Sequence, residues 1–308
     1  MEEISLNTQD LEYVLCVAKH QNLTKASQEL YISQPTLSKF LQKLERELNG
    51  KLFIRSGNRY VPTHLGRRYL QYARHVLDLH HDWEKELEDL NACRTGELNI
   101  AMPAMRSACM VPRVLPEFHR QYPGVRINLF EESSAVQEKL LLDDQLDFAI
   151  FNEGRENPDL QYETLLQEEI LLVLPSGHPL AGAAVSKAGF SHPWMDLRLL
   201  KDQPFILHFE DQTTGAITRQ LFEYYDIQPP VYVRTRSPLV CLQLCLQGLG
   251  ACLVPQKYVE TIPWSTAAPD CFSMGEEGVF SHLTIASRKG SYLPAYAQEF
   301  IRIAKEFL

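Results

Sequence analysis

The 308-residue sequence contains no apolar run of about 18 residues, the length at which a helix can span the hydrocarbon core of a bilayer. Its first residues also lack the basic and then apolar pattern of a secretory signal peptide. Charged residues make up 22% of the chain and hydrophobic residues 45%, proportions typical of globular domains. We therefore expect a cytoplasmic protein of two or three domains, with no membrane among its partners.

Metal and catalytic motifs are also missing. The seven cysteines are odd in number and scattered, without CxxC spacing, and no cluster of His and Cys has metal-ligand spacing. This distribution predicts reduced thiols, no metal site and no other cofactor. The chain has no GxSxG elbow or Walker loop, and Gly248-Leu249-Gly250 lacks the third glycine of a dinucleotide fingerprint. We therefore assign no catalytic residue and expect no enzyme activity.

A helix-turn-helix is predicted between residues 23 and 48. The chain turns at Tyr31-Ile32, and Ser33 is a favourable N-cap for a second helix that has Pro35 in its first turn. The apolar residues of that helix recur at helical spacing: Leu37, Phe40, Leu41, Leu44 and Leu48. The polar residues near its start lie largely off this stripe, where a recognition helix contacts base edges in the major groove: Gln34, Thr36, Ser38 and Lys39.

A strongly basic segment surrounds this second helix. Residues 34–74 hold nine basic and two acidic residues, whereas the whole chain has a formal net charge of −9. Residues 75–92 hold one basic and six acidic residues, and residues 93–308 are acidic as well. A basic island in an acidic protein is the charge pattern expected for contacts with DNA phosphates. Two ordinary surface helices would not show this asymmetry, so we predict DNA binding.

One long amphipathic helix is predicted from residue 63 to residue 91. Its apolar residues follow three- and four-residue steps, and no helix breaker occurs after Gly66. The apolar stripe packs either on its own domain or on the same helix of a second subunit. The candidates for dimerisation are Tyr69, Tyr72, Val76, Leu79, Trp83 and Leu87.

The pattern changes after Arg94-Thr95-Gly96, where the long helix is expected to end. Short apolar segments predict strands at 98–101, 126–130, 148–151, 170–174, 205–208, 231–233, 251–254 and 283–286. Helices are predicted between several of them, at 107–121, 134–143, 214–225 and 238–248, with a final helix at 294–307. Strands that alternate with helices predict an α/β fold with mainly parallel sheets.

Residues 6–90 resemble the winged helix-turn-helix and linker helix of LysR-type transcriptional regulators. Two departures, at Asn49-Gly50-Lys51 and at Pro62-Thr63-His64, lie in turns and concern local geometry only. The resemblance is carried by Ala26, Leu30, Ser33-Gln34-Pro35, Leu37-Ser38, Leu44-Glu45, Leu48, Leu52-Phe53, Arg55 and Gly66.

The second half resembles the effector domain of the same family more loosely. The landmarks are Gly96-Glu97-Leu98, Val111-Pro112, Leu115, Phe118, Tyr122-Pro123, Leu146-Asp147-Phe148-Ala149-Ile150, His178-Pro179-Leu180, Gly248 and Gly250. The resemblance implies two α/β subdomains, like those of periplasmic binding proteins, with crossovers near 162–166 and 264–268. The expected domains are a winged helix-turn-helix at 1–62, a linker helix at 63–92, and an effector domain at 93–308. Subdomain I comprises 93–163 and 268–308, and subdomain II comprises 164–267.

The resemblance also implies how such a protein binds DNA. Ser33, Gln34, Pro35, Thr36, Ser38 and Lys39 belong to the recognition helix, and Arg55 and Arg59 flank a wing at residues 53–62 that lies along the minor groove. The family's regulators are dimers or tetramers on interrupted inverted repeats of double-stranded DNA. They act as activators or repressors and contact RNA polymerase.

A small-molecule effector of unknown identity is expected between the subdomains, because ligands in such folds bind beyond the carboxyl ends of strands, at helix N-termini. Many family members have Ser or Thr after the first strand, whereas this chain has Met102-Pro103-Ala104-Met105. This favours a more apolar effector, or one held elsewhere in the cleft. Ser133 and Ser134 either cap a helix or hold a carboxylate, and Met102 is either core or lining. The candidate effector-binding residues are Met102, Pro103, Ala104, Arg106, Ser133, Ser134, His208 and Thr213.

Two alternatives keep other functions open. The first is a thiol-based redox sensor of the same architecture, since Cys241 and Cys245 lie four residues apart on a predicted helix and share a face. A disulfide between successive turns of one helix has awkward geometry and adds little constraint. These thiols also fit as small buried apolar side chains. The second alternative is a free solute-binding protein, against which the DNA-binding segment and the missing export signal both count.

Overall fold

The computed structural model describes residues 7–57, 59–90, 95–152, 157–264 and 268–307, and in the helix that ends at Leu90 it describes side chains as far as Leu87. The chain divides into two units, Met1–Asn91 and Ala92–Leu308. Among the described residues, no helix has both the length and the apolarity needed to cross a membrane.

Four helices and a hairpin form the first unit. They are α1 (Thr8–His20), α2 (Leu23–Glu29), α3 (Gln34–Glu47), β1 (Phe53–Ser56), β2 (Arg59–Pro62) and α4 (His64–Leu90). Polar N-caps begin the first three helices, because Asn7, Asn22 and Ser33 each accept a hydrogen bond from a backbone N–H of the first turn. The expected helix-turn-helix and wing are confirmed. Asn58, within the expected wing at residues 53–62, lies outside the described residues.

The core of the first unit is built from the apolar faces of α1, α3 and α4. Leu11, Val14, Leu37 and Ala73 are fully buried in it. Gly66 in the first turn of α4 allows close packing, since a Cβ atom there would lie 2.0 Å from the Leu52 carbonyl oxygen. The helix that follows the wing is therefore fixed against its own domain at its start.

Strands and helices alternate through the second unit. Its strands are β3 (Thr95–Ala101), β4 (Gly124–Phe130), β5 (Phe148–Asn152), β6 (Leu160–Leu174), β7 (Phe205–His208), β8 (Val231–Thr235), β9 (Cys252–Pro255), β10 (Asp270–Phe272) and β11 (Phe280–Arg288). Its α-helices are α5 (Ala104–Gln121), α6 (Ser134–Leu142), α7 (Thr213–Tyr224), α8 (Pro238–Leu246), α9 (Gln256–Thr261) and α10 (Ala295–Phe307). Two 3₁₀ helices lie at Pro179–Ala183 and Leu197–Leu200.

The expectation of mainly parallel sheets was wrong. The large sheet has the order β10-β6-β11-β5-β3-β4, with β9 also on β6, and β7 pairs with β8 in a small sheet. Strands β3, β4 and β5 are parallel, as are β7 and β8, but β11 runs antiparallel to both β5 and β6, and β9 and β10 run antiparallel to β6. The long strand β6 carries the chain out of the first half and β11 returns it, so the two must be antiparallel. Apolar periodicity does not encode strand direction.

Every predicted strand is present, and the two-part α/β architecture is confirmed. Strand β6 begins at Leu160, ten residues before the predicted start, because the polar residues 167–169 separate its first half from the apolar run on which the prediction rested. Strand β10 and helix α9 were not predicted. Of the two expected crossovers, 162–166 lies within β6, whereas the one near 264–268 falls partly on residues outside the described ranges.

Candidate nucleic-acid interface and ligand cleft

The start of α3 presents a polar surface. Gln34, Pro35 and Lys39 are exposed, Ser38 is half-buried, and Leu37 between them is fully buried. This arrangement holds the helix by its apolar face and leaves the side chains expected to read bases on the opposite face.

The two hydroxyl residues at this helix start bond each other. The Ser33 Oγ accepts from the Thr36 backbone N–H at 3.2 Å and lies 2.7 Å from the Thr36 Oγ1. Both side chains are exposed, but this geometry commits them first to capping the helix. Gln34, Pro35 and Lys39 are the exposed residues of the predicted set that take no part in this cap.

Tyr31 was not assigned to the surface by the sequence. It lies in the turn between α2 and α3 with a φ of 54°, and 96% of its side chain is exposed. A tyrosine in the left-handed region is uncommon, and its hydroxyl beside the recognition helix is suited to a phosphate oxygen. The sequence signal that could have identified Tyr31 is its position in the predicted turn, outside the apolar stripe of either helix.

The wing is a two-stranded hairpin with basic residues near its tip. Arg55 pairs with Tyr60 in register, and Ser56 pairs with Arg59. Both arginines are exposed, and the Arg55 Nε donates to the Gly57 carbonyl oxygen at 3.2 Å. The structure thus places both predicted wing arginines at the surface of the unit that carries α3.

Glu45 ties the wing to α3. Its carboxylate is buried and accepts from the backbone N–H groups of Leu52 at 2.9 Å and Phe53 at 3.3 Å. Lys51 Nζ lies 2.7 Å from the same carboxylate. Glu47, the other acidic residue of the basic segment, faces Lys43 at 3.6 Å. Both negative charges are therefore locally compensated, and the net field of the segment is positive.

Helix α4 divides the predicted dimerisation residues into two groups. Tyr69 and Val76 pack on the core of their own unit, and burial raises the pKa of Tyr69 to about 12. The other four are exposed, at 52%, 70%, 53% and 42% of their surface: Tyr72, Leu79, Trp83 and Leu87. An exposed apolar row of this size along one helix is the feature expected of an interface.

A polar cleft of about 650 Å³ lies within the second unit. It is bordered by the N-termini of α6 and α7 and by the end of β5, so that residues from both halves of the unit line it. Its lining includes Ser134, Ala135, Glu138, Phe151, Asn152, Asn157, Glu210, Asp211, Gln212 and Thr213. Ser134 and Thr213 are the predicted residues that the structure brings together here. Ser133 occupies the N-cap position of α6, where its side chain makes no capping hydrogen bond.

The remaining predicted effector contacts lie elsewhere. Met102 is fully buried in the core beside β3, and Pro103 and Ala104 begin α5. Arg106 is buried and bonds Glu168, while His208 lines a separate cavity of about 410 Å³ beside α7. Asn152 and Gln212 were missed, although extending the strand-end rule to 148–151 would have identified Asn152.

Carboxylates and amides give the cleft its electrostatic character. The Asp211 carboxylate pairs with the Arg236 guanidinium at 2.7 Å, which lowers the pKa of that carboxyl. Glu210 lies 3.5 Å from Arg219, and Asn152 donates to the Ser281 Oγ at 3.1 Å. These side chains offer both donors and acceptors of hydrogen bonds, in front of two helix N-termini that favour negative charge.

The described thiols of the second unit lie in or against one buried apolar cluster. Cys241 and Cys245 donate to the backbone carbonyl oxygens of Ile206 at 3.2 Å and Val173 at 3.3 Å, and both are fully buried. Cys252 packs against them, and its thiol lowers the pKa of the Cys241 thiol by hydrogen bonding. Cys93 lies outside the described residues. The lowered pKa of Cys241 would favour a reactive thiolate, but Cys241, Cys245 and Cys252 are all fully buried and so shielded from solvent oxidants. This burial favours a role in apolar packing.

Comparison with known proteins identifies both parts of the chain. The LysR substrate binding domain matches residues 91–308, and the bacterial regulatory helix-turn-helix protein, lysR family, matches residues 8–67. An uncharacterized HTH-type transcriptional regulator of Bacillus subtilis, YcgK, is 26% identical over 308 residues, which cover 97% of this chain and 94% of that protein.

Solved structures share the fold. A full-length OxyR variant from Pseudomonas aeruginosa has a TM-score of 0.69 at 20% identity, covering 98% of this chain and 94% of the other. Full-length CbnR in complex with its target DNA has a TM-score of 0.57 at 20% identity, covering 98% of this chain and all of the other, 100%. These likenesses extend over both units.

Proposed function

The chain belongs to the LysR family of DNA-binding transcriptional regulators, and we propose that its effector occupies the cleft lined by Ser134, Asn152 and Thr213. The observation that supports this site is the convergence of two helix N-termini from opposite halves of the second unit on one polar cavity. Ligands of open α/β folds bind at such places because backbone N–H groups and the helix dipoles meet there.

The lining favours a small polar effector. Amide side chains of Asn152, Asn157 and Gln212 offer donors and acceptors, and the backbone N–H groups at the helix N-termini suit an oxygen acceptor. The carboxylates of Glu138, Glu210 and Asp211 suit donor groups of the effector. The apolar segment at residues 102–105 does not line this cleft, so the effector is held through the serine and threonine positions instead. No cofactor is required for this mode of binding.

Effector binding acts by shifting a conformational equilibrium. A molecule that contacts both α6 and α7 stabilises one arrangement of the two halves over another, and the population shifts in proportion to that difference in affinity. The protein binds an interrupted inverted repeat as a homodimer or homotetramer. The shift changes the distance between the recognition helices of its subunits. The regulator acts in the cytoplasm, as an activator or repressor, and contacts RNA polymerase.

Within the DNA-binding unit, the proposed division of labour follows exposure. Gln34, Pro35, Ser38 and Lys39 contact bases, and Ser33 and Thr36 cap the helix start. Arg55 and Arg59 contact phosphates or the minor groove. The exposed row on α4 joins two subunits.

Thermal unfolding of the full-length protein against a panel of metabolites tests the cleft assignment. The panel contains aliphatic and aromatic acids, amino acids and nucleosides. A ligand at about 100 times its dissociation constant adds about 2.7 kcal/mol to the stability of the unit that binds it, which raises the unfolding midpoint by roughly 2–4 °C per kcal/mol. The shift should vanish in Ala135→Trp, which fills the cleft, and persist in the matched variant Ala135→Ser. A shift that survives Ala135→Trp would place the ligand elsewhere.

A further inference from the structure

Three side chains with metal-ligating atoms converge on one side of the first unit. The Cys16 thiol, a ring nitrogen of His20 and a carboxylate oxygen of Glu29 all lie within 4.8 Å of one another. Cys16 and His20 are four residues apart on α1 and therefore share a face, whereas Glu29 is the last residue of α2. Within the described ranges, no other three His, Cys, Asp or Glu side chains come together in this way.

We propose that Cys16, His20 and Glu29 form a zinc site in the DNA-binding unit. Zinc accepts thiolate, imidazole and carboxylate ligands, and sites with three protein ligands leave a fourth tetrahedral position to water. With metal–ligand bonds of about 2.0–2.3 Å, tetrahedral ligand atoms lie roughly 3.3–3.7 Å apart. The three side chains can therefore reach this geometry by movements on the order of 1 Å. The sequence showed no metal-ligand spacing because one ligand comes from a different helix.

The two exposed ligands must separate slightly to admit the ion. His20 Nε2 and Glu29 Oε2 lie 2.5 Å apart, a hydrogen bond whose proton a metal ion would replace. Cys16 is buried beneath them, with its thiol donating to the Ala26 carbonyl oxygen at 3.6 Å. The His20 and Glu29 side chains are 24% and 43% exposed, which gives the ion access from solvent.

Two features set the affinity of the site. The thiolate is the form of cysteine that binds zinc, so metal binding must displace the proton of the Cys16 thiol and becomes tighter as pH rises. Lys19 Nζ lies 2.9 Å from the other oxygen of Glu29 and is 65% exposed. Its positive charge repels the ion, although the exposed side chain can move into solvent.

The site lies where it can affect DNA binding. It joins the last turn of α1 to the last residue of α2, directly before the Tyr31-Ile32 turn that leads into α3. A metal ion bound only by the folded unit would stabilise it and restrict the movement of α2 relative to α1. Zinc occupancy would then add a second input to the regulator, separate from the effector cleft.

Cobalt(II) titration of the full-length protein, followed by zinc competition, tests the proposal. We expect one equivalent to bind with sulfur-to-cobalt charge-transfer absorption and the visible bands of tetrahedral cobalt. Cys16→Ser should abolish the charge-transfer band. His20→Gln and Glu29→Gln should each weaken zinc binding by roughly tenfold or more, since even residues that only orient metal ligands cost 10–100-fold in affinity. The exposed ligands keep the test informative even if Cys16→Ser fails to fold.

Matched variants separate a metal site from a structural ion pair. His75→Gln removes an exposed imidazole from α4, and Cys245→Ser removes a buried thiol from the second unit, so neither should alter the cobalt spectrum. Lys19→Gln breaks an ion pair but removes the repelling charge, and we expect it to tighten zinc binding. No binding at one equivalent of zinc, or binding that His20→Gln and Glu29→Gln leave unchanged, would overturn the proposal. Loss of stability in Lys19→Gln without tighter binding would count against it equally.

Discussion

Arg106 of α5 and Glu168 of β6 form an ion pair in the interior of the second unit, 62 residues apart in the chain. Each side chain is only 1% exposed, and the guanidinium also lies 4.8 Å from the centre of the Tyr258 ring. The pair thereby connects the first helix of the unit with the long strand that passes from one half to the other, and with α9. Arg106, predicted to contact the effector, is therefore buried and paired with Glu168 instead.

Glu168→Gln should strongly destabilise the second unit, because it leaves the Arg106 charge buried without a carboxylate. Removal of one partner of a buried pair costs about 3–5 kcal/mol. Urea unfolding measures the loss, and the double variant Glu168→Gln/Arg106→Met should recover part of it. Glu163→Gln is the matched control: its carboxylate is 59% exposed beside Lys305, and exposed pairs contribute at most about 1 kcal/mol. Similar losses in the two single variants would contradict the assignment.

Gln34→Ala should reduce sequence-specific DNA binding selectively. An amide that reads a base contributes about 1–3 kcal/mol of discrimination, whereas a phosphate contact contributes to all sequences alike. Binding to the operator and to random DNA, measured at one fixed salt concentration, should therefore diverge for Gln34→Ala. Arg55→Ala should weaken binding to both DNAs and lower the salt dependence of the affinity. Equal losses on the two DNAs for Gln34→Ala would remove its base-reading role.

Leu79→Glu should prevent self-association without unfolding the subunit. Leu79 is 70% exposed on α4 within its own unit, so a carboxylate there costs little in the monomer but would be buried in an α4–α4 interface. Analytical ultracentrifugation should show that Leu79→Glu is monomeric. Circular dichroism should show that the monomer remains folded. The control is His80→Glu, at the next position of α4, where the side chain is 51% exposed; this variant should leave the assembly intact. An unaltered oligomer in Leu79→Glu would place the interface elsewhere.

Stability at high pH should depend on Tyr69. Its folded pKa of about 12 exceeds the value of about 10 for an unfolded tyrosine. The contribution of the neutral phenol is therefore complete below about pH 10 and is lost as pH rises towards 12. The free energy of unfolding of the first unit, measured with urea, should therefore fall less steeply between about pH 10 and pH 12 in Tyr69→Phe than in the native protein.

The sequence predicted best where local signals are strong. Helix α3 was located by the Ser33 cap, the early Pro35 and five regularly spaced apolar residues, all of which act within one helix. Strand β6 was predicted too short because Glu168 and Glu169 resemble surface residues, although both are buried. Their burial depends on partners such as Arg106 and Ser191, which are distant in the chain or come from loops.

The cleft was only partly predictable for the same reason. Ser134 and Thr213 follow from the rule that helix N-termini at strand ends bind ligands, and both line it. Met102 and Arg106 satisfy the same rule but are covered by packing that sequence spacing does not reveal. Likewise, Glu29 meets Cys16 and His20 only because α2 folds back against α1.

If a small molecule in the cleft changes how the regulator binds DNA, footprinting on the operator will reveal the change. The metabolite that stabilises the native protein should alter the length or the pattern of protection at constant protein concentration. In Ala135→Trp, the footprint should remain in its ligand-free form whatever the metabolite concentration, while Ala135→Ser responds like the native protein. A footprint that changes equally in Ala135→Trp, or a stabilising metabolite that leaves the native footprint unaltered, would contradict the account.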